Sequence, residues 1–236
     1  EKCLQRIVDD LTAIQIVIRR AKKLTCPVIL TTTVDPVDDR LLAIAQMESI
    51  EFFRGAEKNK IRRWADCFKA FDIREGLLVD GDDLTFDYTV GNRAISQLQD
   101  GGSEIVVAGP GMVPGFFTYG ITRSGLEKLE RTARNPNLDT DVITKFIERS
   151  NLTKSYVMPL PDETSKHNVR LTIDYQEDID FYRALYAKIH YLAPGAEVVK
   201  TAIAHDLQLI NWHRNDDLLS NQKSFNEKLE TDNTKK

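Results

Sequence analysis

The chain has 236 residues, 42% of them hydrophobic, enough for one large α/β domain or two small ones with a sizeable core; one domain is the simpler expectation. A formal net charge of −4 and a pI near 5.7 exclude a general nucleic-acid or membrane-surface protein, since both need a net basic face. Cys3, Cys26 and Cys67 form no CxxC pattern, no stretch approaches the roughly 20 apolar residues of a membrane span, and the opening EKCLQRIVDD lacks a signal-peptide core, so the cytoplasm is the expected compartment.

In chain order, Ile14, Val17, Ile18, Ala21 and Leu24 fall at helical spacing, so a helix comes first. Pro27 to Thr33 reads as a β-branched strand, and Asp35-Pro36 caps a helix running to about Met47. Ile50 to Phe53 is a short strand ended by Arg54-Gly55, and Glu57 to Phe71 is helical with Ile61, Trp64, Phe68 and Phe71 on one face. Leu77 to Val79 is a buried strand that runs straight into Asp80, Gly81, Asp82 and Asp83. Asp87 caps a helix carrying Val90, Ala94, Ile95 and Leu98, and Ser103 to Ala108 is another strand. This alternation predicts an α/β fold, Rossmann-like, with a mostly parallel central sheet and helices on both faces.

The alternation then breaks. Gly109 to Gly115 is a turn-rich loop, Phe116 to Thr122 an aromatic strand, and Leu126 to Ile147 two further helices. Strands are predicted over Tyr156 to Leu160 and Arg170 to Asp174, with the polar loop Pro161 to Asn168 between them, and helices over Gln176 to Leu192 and Glu197 to Leu207. The domain is expected over residues 1–221, with 222–236 a polar, mobile tail.

Acids at the carboxyl ends of strands stand where open α/β sheets bind ligands, and two such acids suit Mg²⁺, whose other ligands come from water and phosphates. Asp82 and Asp174 are the candidate pair, provided their strand ends meet. The alternative is that each acid only caps a turn or a helix. Arg54 and Arg63 are candidate phosphate contacts, whereas Lys58 and Arg62 read as a solvated helix face. The segment Gly109 to Gly120 lacks both GxGxxG and P-loop spacing and reads as a substrate-side loop, its glycines permitting close approach and Tyr119 offering a stacking or hydroxyl contact. The four histidines have no metal-ligand spacing, and no Ser-His-Asp order is identifiable.

Four ordered segments, PVILTTTVDPVDDRLLAIA, EFFRGAEKNKIRRW, LLVDGDDLTFD and RLTIDYQEDIDFYRALY, together resemble the cytidylyltransferase family that activates acidic sugars, the group of CMP-sialic acid and CMP-Kdo synthetases, and most closely its spore-coat-polysaccharide branch. The resemblance spans roughly Lys2 to Leu192 and implies a nucleotidyltransferase that joins CTP and a surface-polysaccharide sugar into a CMP-sugar and pyrophosphate. It implies Asp82, of the G-D motif with Gly81, and Asp174 as magnesium ligands. It also implies Lys2, the last residue of the family's R-L-P-x-K loop, at the phosphates; the strand and the rest of that loop are not matched here. Arg54 and Gly55 match an R-G near the nucleotide, and Asp178 matches the acid of the family's E-D, which read alone is equally a first-turn helix residue. Lys2, Asp82 and Asp174 are then the catalytic set; Lys2, Arg54, Gly81 and Asp82 would face the nucleotide, and Gly115, Tyr119 and Gly120 the sugar. Family members are commonly homodimers, so Phe116 and Phe117 are candidates for an interface rather than the core. The alternatives are a sugar-1-phosphate nucleotidyltransferase using another nucleotide and a non-catalytic binding module of the same fold. Asp83-Leu84 replaces the family's Cys-Pro, and Tyr175-Gln176 its Thr-Pro.

Overall fold

A computed structural model describes residues 2–135, 137–140, 142–160, 168–215 and 217. After a 3-10 turn at Lys2–Leu4 comes a hairpin that the sequence did not announce, β1 (Arg6–Val8) with β2 (Leu11–Thr12). Helix α1 (Ala13–Ala21) follows and buries Ile14, Val17, Ile18 and Ala21 as their spacing requires. It also buries Arg20 completely. That guanidinium donates to the carbonyls of Phe86 (2.8 Å), Tyr191 (2.6 Å) and Ala193 (2.9 Å), tying the helix to two distant segments.

Strand β3 (Ile29–Thr33) lies parallel to β4 (Glu51–Gly55), with α2 (Asp39–Met47) between them in sequence. Asp35 accepts from the Val37 amide and starts the 3-10 turn Pro36–Asp38 that leads into α2. The remaining strands form a second sheet in the order β5-β7-β6-β8: β5 (Glu75–Leu78), β6 (Ile105–Ala108), β7 (Tyr119–Thr122) and β8 (Lys154–Val157). β6 and β8 are parallel, but β7 runs antiparallel to both its neighbours, so this sheet is mixed.

Successive residues of β6 feed opposite faces: Ile105 and Val107 go to one apolar cluster, Val106 and Ala108 to the other. The first face is covered by α3 (Lys60–Ala70), α5 (Arg123–Thr132) and α6 (Thr144–Arg149) through Ile61, Trp64, Leu126 and Phe146. The second is covered by α1, α4 (Tyr88–Gln99), α7 (Gln176–Tyr186) and α8 (Gly195–Ala204) through Ile16, Ala94, Phe181 and Val198. Asp87 caps α4 as expected, accepting from the amides of Thr89 (2.7 Å) and Val90 (3.1 Å).

Several boundaries differ from the sequence expectation. Arg170 to Asp174 joins no ladder among the described residues. Its carbonyls accept from side chains instead, Leu171 from the Tyr182 hydroxyl (2.8 Å) and Arg170 from Asn211 (3.1 Å), so the alternation of Val169, Leu171 and Ile173 reflects burial rather than strand pairing. The strand near Tyr156 sits two residues earlier than expected, the helix from Gln176 stops at Tyr186, and the Phe116 segment pairs only from Tyr119. Phe116 and Phe117 are buried in the core and do not form an exposed interface. The tail 222–236 and the loop residues 161–167 lie outside the described residues.

Candidate active site

Asp82 lies in the turn that leaves β5. The amide of Asp83 donates to the Asp80 carbonyl (3.1 Å) and that of Phe86 to the Asp83 carbonyl (2.9 Å), so backbone bonds fix the acid cluster as a tight turn. Gly81 sits where a Cβ would come within 3.2 Å of Ile14 and 3.6 Å of the Cys3 sulfur, which keeps the turn pressed onto the chain's first residues.

The two acids singled out in the sequence meet through one cation. Lys2 Nζ lies 2.5 Å from Asp82 Oδ2 and 3.1 Å from Asp174 Oδ1, so a single ammonium bridges carboxylates 92 positions apart. Burial works against the Lys2 charge, but Asp82 and then Asp174 outweigh it and its pKa stands above the usual lysine value. Burial likewise pushes Asp174 up, yet Lys2 and then Arg170 prevail and hold its carboxyl below the usual range. Asp82 differs: burial exceeds the pull of Lys2, neighbouring Asp80 adds to it, and its pKa is raised.

Asp174 is held by a framework that sequence reasoning left without a role. Arg170, almost wholly buried, donates from Nη2 to Asp174 Oδ2 (2.7 Å) and from Nε to Asp178 Oδ1 (3.0 Å). Asp178 is fully buried and accepts from the amides of Asp174 (2.8 Å) and Tyr175 (2.9 Å) and from Asn211 Nδ2 (2.9 Å). It is therefore both a first-turn residue of α7 and the anchor of the Asp174 backbone. The signal for Arg170 was its place at the head of the quoted RLTIDYQED segment; nothing local pointed to Asn211.

A second ion pair lies on the other side of the turn. Lys60 Nζ is 2.7 Å from Asp80 Oδ1 and 5.2 Å from the centroid of the Trp64 ring, so this lysine faces the acid cluster, while Lys58, just ahead of α3, and Arg62, within it, are exposed. Asp83 is buried and accepts from the Thr118 hydroxyl (2.9 Å). Tyr119 is half-buried beside the same pair, and burial raises its hydroxyl pKa.

The remaining candidates are spent on structure. Arg54 donates to the carbonyls of Thr33 and Asp35 (both 3.0 Å) and pairs with Asp39 (2.9 Å), pinning the exit of β3. Arg63 Nη1 donates to the Ala56 carbonyl at 2.6 Å. Gly115 has φ +94°, and a Cβ there would collide with the Leu171 carbonyl oxygen. Gly120 lies inside β7, where a Cβ would come within 3.1 Å of both Leu77 and Leu98. The structure thus gathers Lys2, Gly81, Asp82 and Asp174 and places Tyr119 near Asp80, while Arg54, Gly115 and Gly120 serve packing and loop geometry.

No protein-family model matches the chain. It is 23% identical over 168 residues, 71% of this chain and 68% of the relative, to an uncharacterised protein of Methanocaldococcus jannaschii. Among solved structures, a cytidylyltransferase from Leptospira borgpetersenii superposes with a TM-score of 0.78 at 21% identity, over 89% of this chain and 90% of that one. A CMP:2-keto-3-deoxy-manno-octonic acid synthetase complexed with CTP superposes with a TM-score of 0.57 at 13% identity, over 79% and 92%. The chain therefore has the mixed α/β nucleotidyltransferase fold found in these cytidylyltransferases.

Proposed function

We propose that the protein is a magnesium-dependent cytidylyltransferase that joins CTP to an acidic surface-polysaccharide sugar, releasing pyrophosphate. The observation that carries this reading is the closure of Asp82 and Asp174 on one cationic group, Lys2 Nζ, at the end of the sheet. The fold it shares with a cytidylyltransferase and with a synthetase complexed with CTP supports it.

In this reaction a sugar oxygen bonds to the α-phosphorus, the bond from that phosphorus to the pyrophosphate oxygen breaks, and the sugar hydroxyl proton passes to solvent. Asp82 and Asp174 would hold the magnesium ion; two carboxylates that already share one cation suit an ion completed by water and phosphate oxygens. When bound, the ion supplies charge neutralisation at the phosphates. Lys2, kept protonated by both acids, presents its ammonium to the departing pyrophosphate. Arg170 and Asp178 act as positioning residues, fixing Asp174 from behind. Lys60, Asp80 and Tyr119 line the side we assign to the sugar.

Pyrophosphate release from CTP and acidic sugars tests the assignment. Asp82→Asn and Asp174→Asn should each lower the rate by roughly 100-fold or more. Equal activity in the parent and both variants removes the metal assignment, and tighter binding of UTP, GTP or ATP than of CTP removes the nucleotide.

A further inference from the structure

Beyond α8 the chain passes through Asp206, whose backbone is left-handed (φ +53°), into two 3-10 turns, Leu207–Ile210 and Trp212–Arg214. The first turn packs against α7, and its Leu207 and Ile210 join the larger apolar cluster. Two polar side chains from these turns reach the start of α7, just after Asp174. Asn211 is fully buried and donates from Nδ2 to Asp178 Oδ1 (2.9 Å) and to the Arg170 carbonyl (3.1 Å). Arg214 donates from Nε (3.1 Å) and Nη2 (2.7 Å) to Glu177 Oε1. Its guanidinium lies 5.0 Å from the centroid of the Tyr175 ring, and that of Arg170 lies 5.5 Å from the same centroid, so two cations share one ring.

The stretch that carries Asp174 needs such support. It joins no ladder among the described residues, so side chains rather than strand pairing must set its position. Asp178 holds the amides of Asp174 and Tyr175 through Oδ2, and it can do so only while its own carboxylate is held in orientation. Without Asn211, Oδ1 of Asp178 would keep the Arg170 Nε as its bond, and the buried Arg170 carbonyl would lose a partner. Docking of the turns alone asks only for apolar contacts such as those of Leu207 and Ile210; a fully buried Asn is costly unless its bonds are used.

We propose that Asn211 and Arg214 are positioning residues of the magnesium site, clamping the start of α7 so that the Asp174 carboxylate stays turned toward Asp82. Both act through Arg170, Tyr175, Glu177 and Asp178. The inference rests on the reading of Asp174 as a magnesium ligand.

Amide exchange at Asp174 and Tyr175 reads the clamp without any metal, and Mn²⁺ binding followed by electron paramagnetic resonance reads its consequence. In Asn211→Ala both amides should exchange roughly ten-fold faster relative to the sheet amides of Val106 and Ile121, and Mn²⁺ affinity should fall by about the same factor. Arg214→Ala, at a partly exposed position that leaves the core intact, should move both readouts the same way by roughly three-fold, and Arg214→Lys, which keeps a cation for Glu177 and Tyr175, should return them toward the parent. Ile147→Val, a mild core change on the opposite face of the sheet, should move neither. Acceleration spread evenly over the chain in the Asn211 and Arg214 variants overturns the proposal, because it marks a loss of stability alone. Local acceleration with unchanged Mn²⁺ affinity overturns it as well. A parent that binds no Mn²⁺ removes the magnesium reading instead, and the exchange at Asp174 and Tyr175 still decides whether the clamp exists.

Discussion

The two carboxylates that meet at Lys2 are held in opposite ways. Asp174 stands on a buried ion network, with Arg170, Asp178 and Asn211 fixing both its side chain and its amide. Asp82 stands on a short turn with two more acids beside it, and the cation it touches is the one it shares. One half of the site is stabilised by its charges and the other is burdened by them. For the magnesium site proposed above, this asymmetry would divide the work: the anchored acid would set the position, and the acid that burial disfavours would gain most from an added cation.

Removing charge should therefore act oppositely on the two halves. The largest effect is expected for Arg170→Ala, which leaves the fully buried Asp178 without its guanidinium; a loss of about 3–5 kcal/mol is expected, read as a shift of the urea midpoint at constant slope. Asp174→Asn gives up charged bonds to Lys2 and Arg170 and should cost about 1.5–3 kcal/mol. Asp82→Asn should cost less or nothing, since it relieves a carboxyl that burial already disfavours. Equal losses for the Asp82 and Asp174 variants would erase the contrast.

How much of this was legible in the sequence follows from the range of each interaction. Helix faces such as Ile14, Val17 and Ile18 and the Asp87 cap depend on neighbours within a turn or two, and they stand where periodicity put them. The acid turn after β5 was visible for the same reason. The anchoring of Asp174 was not, because it joins residues 170, 178 and 211, whose proximity is created by tertiary packing. Glycines show the limit most clearly. A glycine that lets a ligand approach and one that lets Leu77 and Leu98 approach have the same letter, and at Gly120 the neighbours are side chains. The split between the two sheets was equally invisible, since alternation of elements says nothing about which edges meet.

The mildest test of the contrast uses Asp83, which belongs to the burdened half. Burial first, then Asp80 and Asp82, push its carboxyl well above the ordinary range, while Thr118 pulls weakly the other way. A raised folded pKa means that the folded protein holds a proton the unfolded chain has lost. Stability from this group is then fully present below the ordinary carboxyl pKa of about 4 and is lost as pH rises toward the raised value. Asp83→Asn keeps an acceptor for Thr118 and cannot ionise. The variant should match the parent near pH 3.5 and exceed it by a few degrees in Tm at neutral pH, the gap opening as pH rises. Asp174→Asn should show the reverse profile, because a depressed folded pKa contributes stability above the ordinary value that is lost as pH falls through the depressed one. Two melting curves that diverge from their parent in opposite directions between acid and neutral pH would locate the burden on the β5 side of the site; curves that move together would place both acids in one shared field.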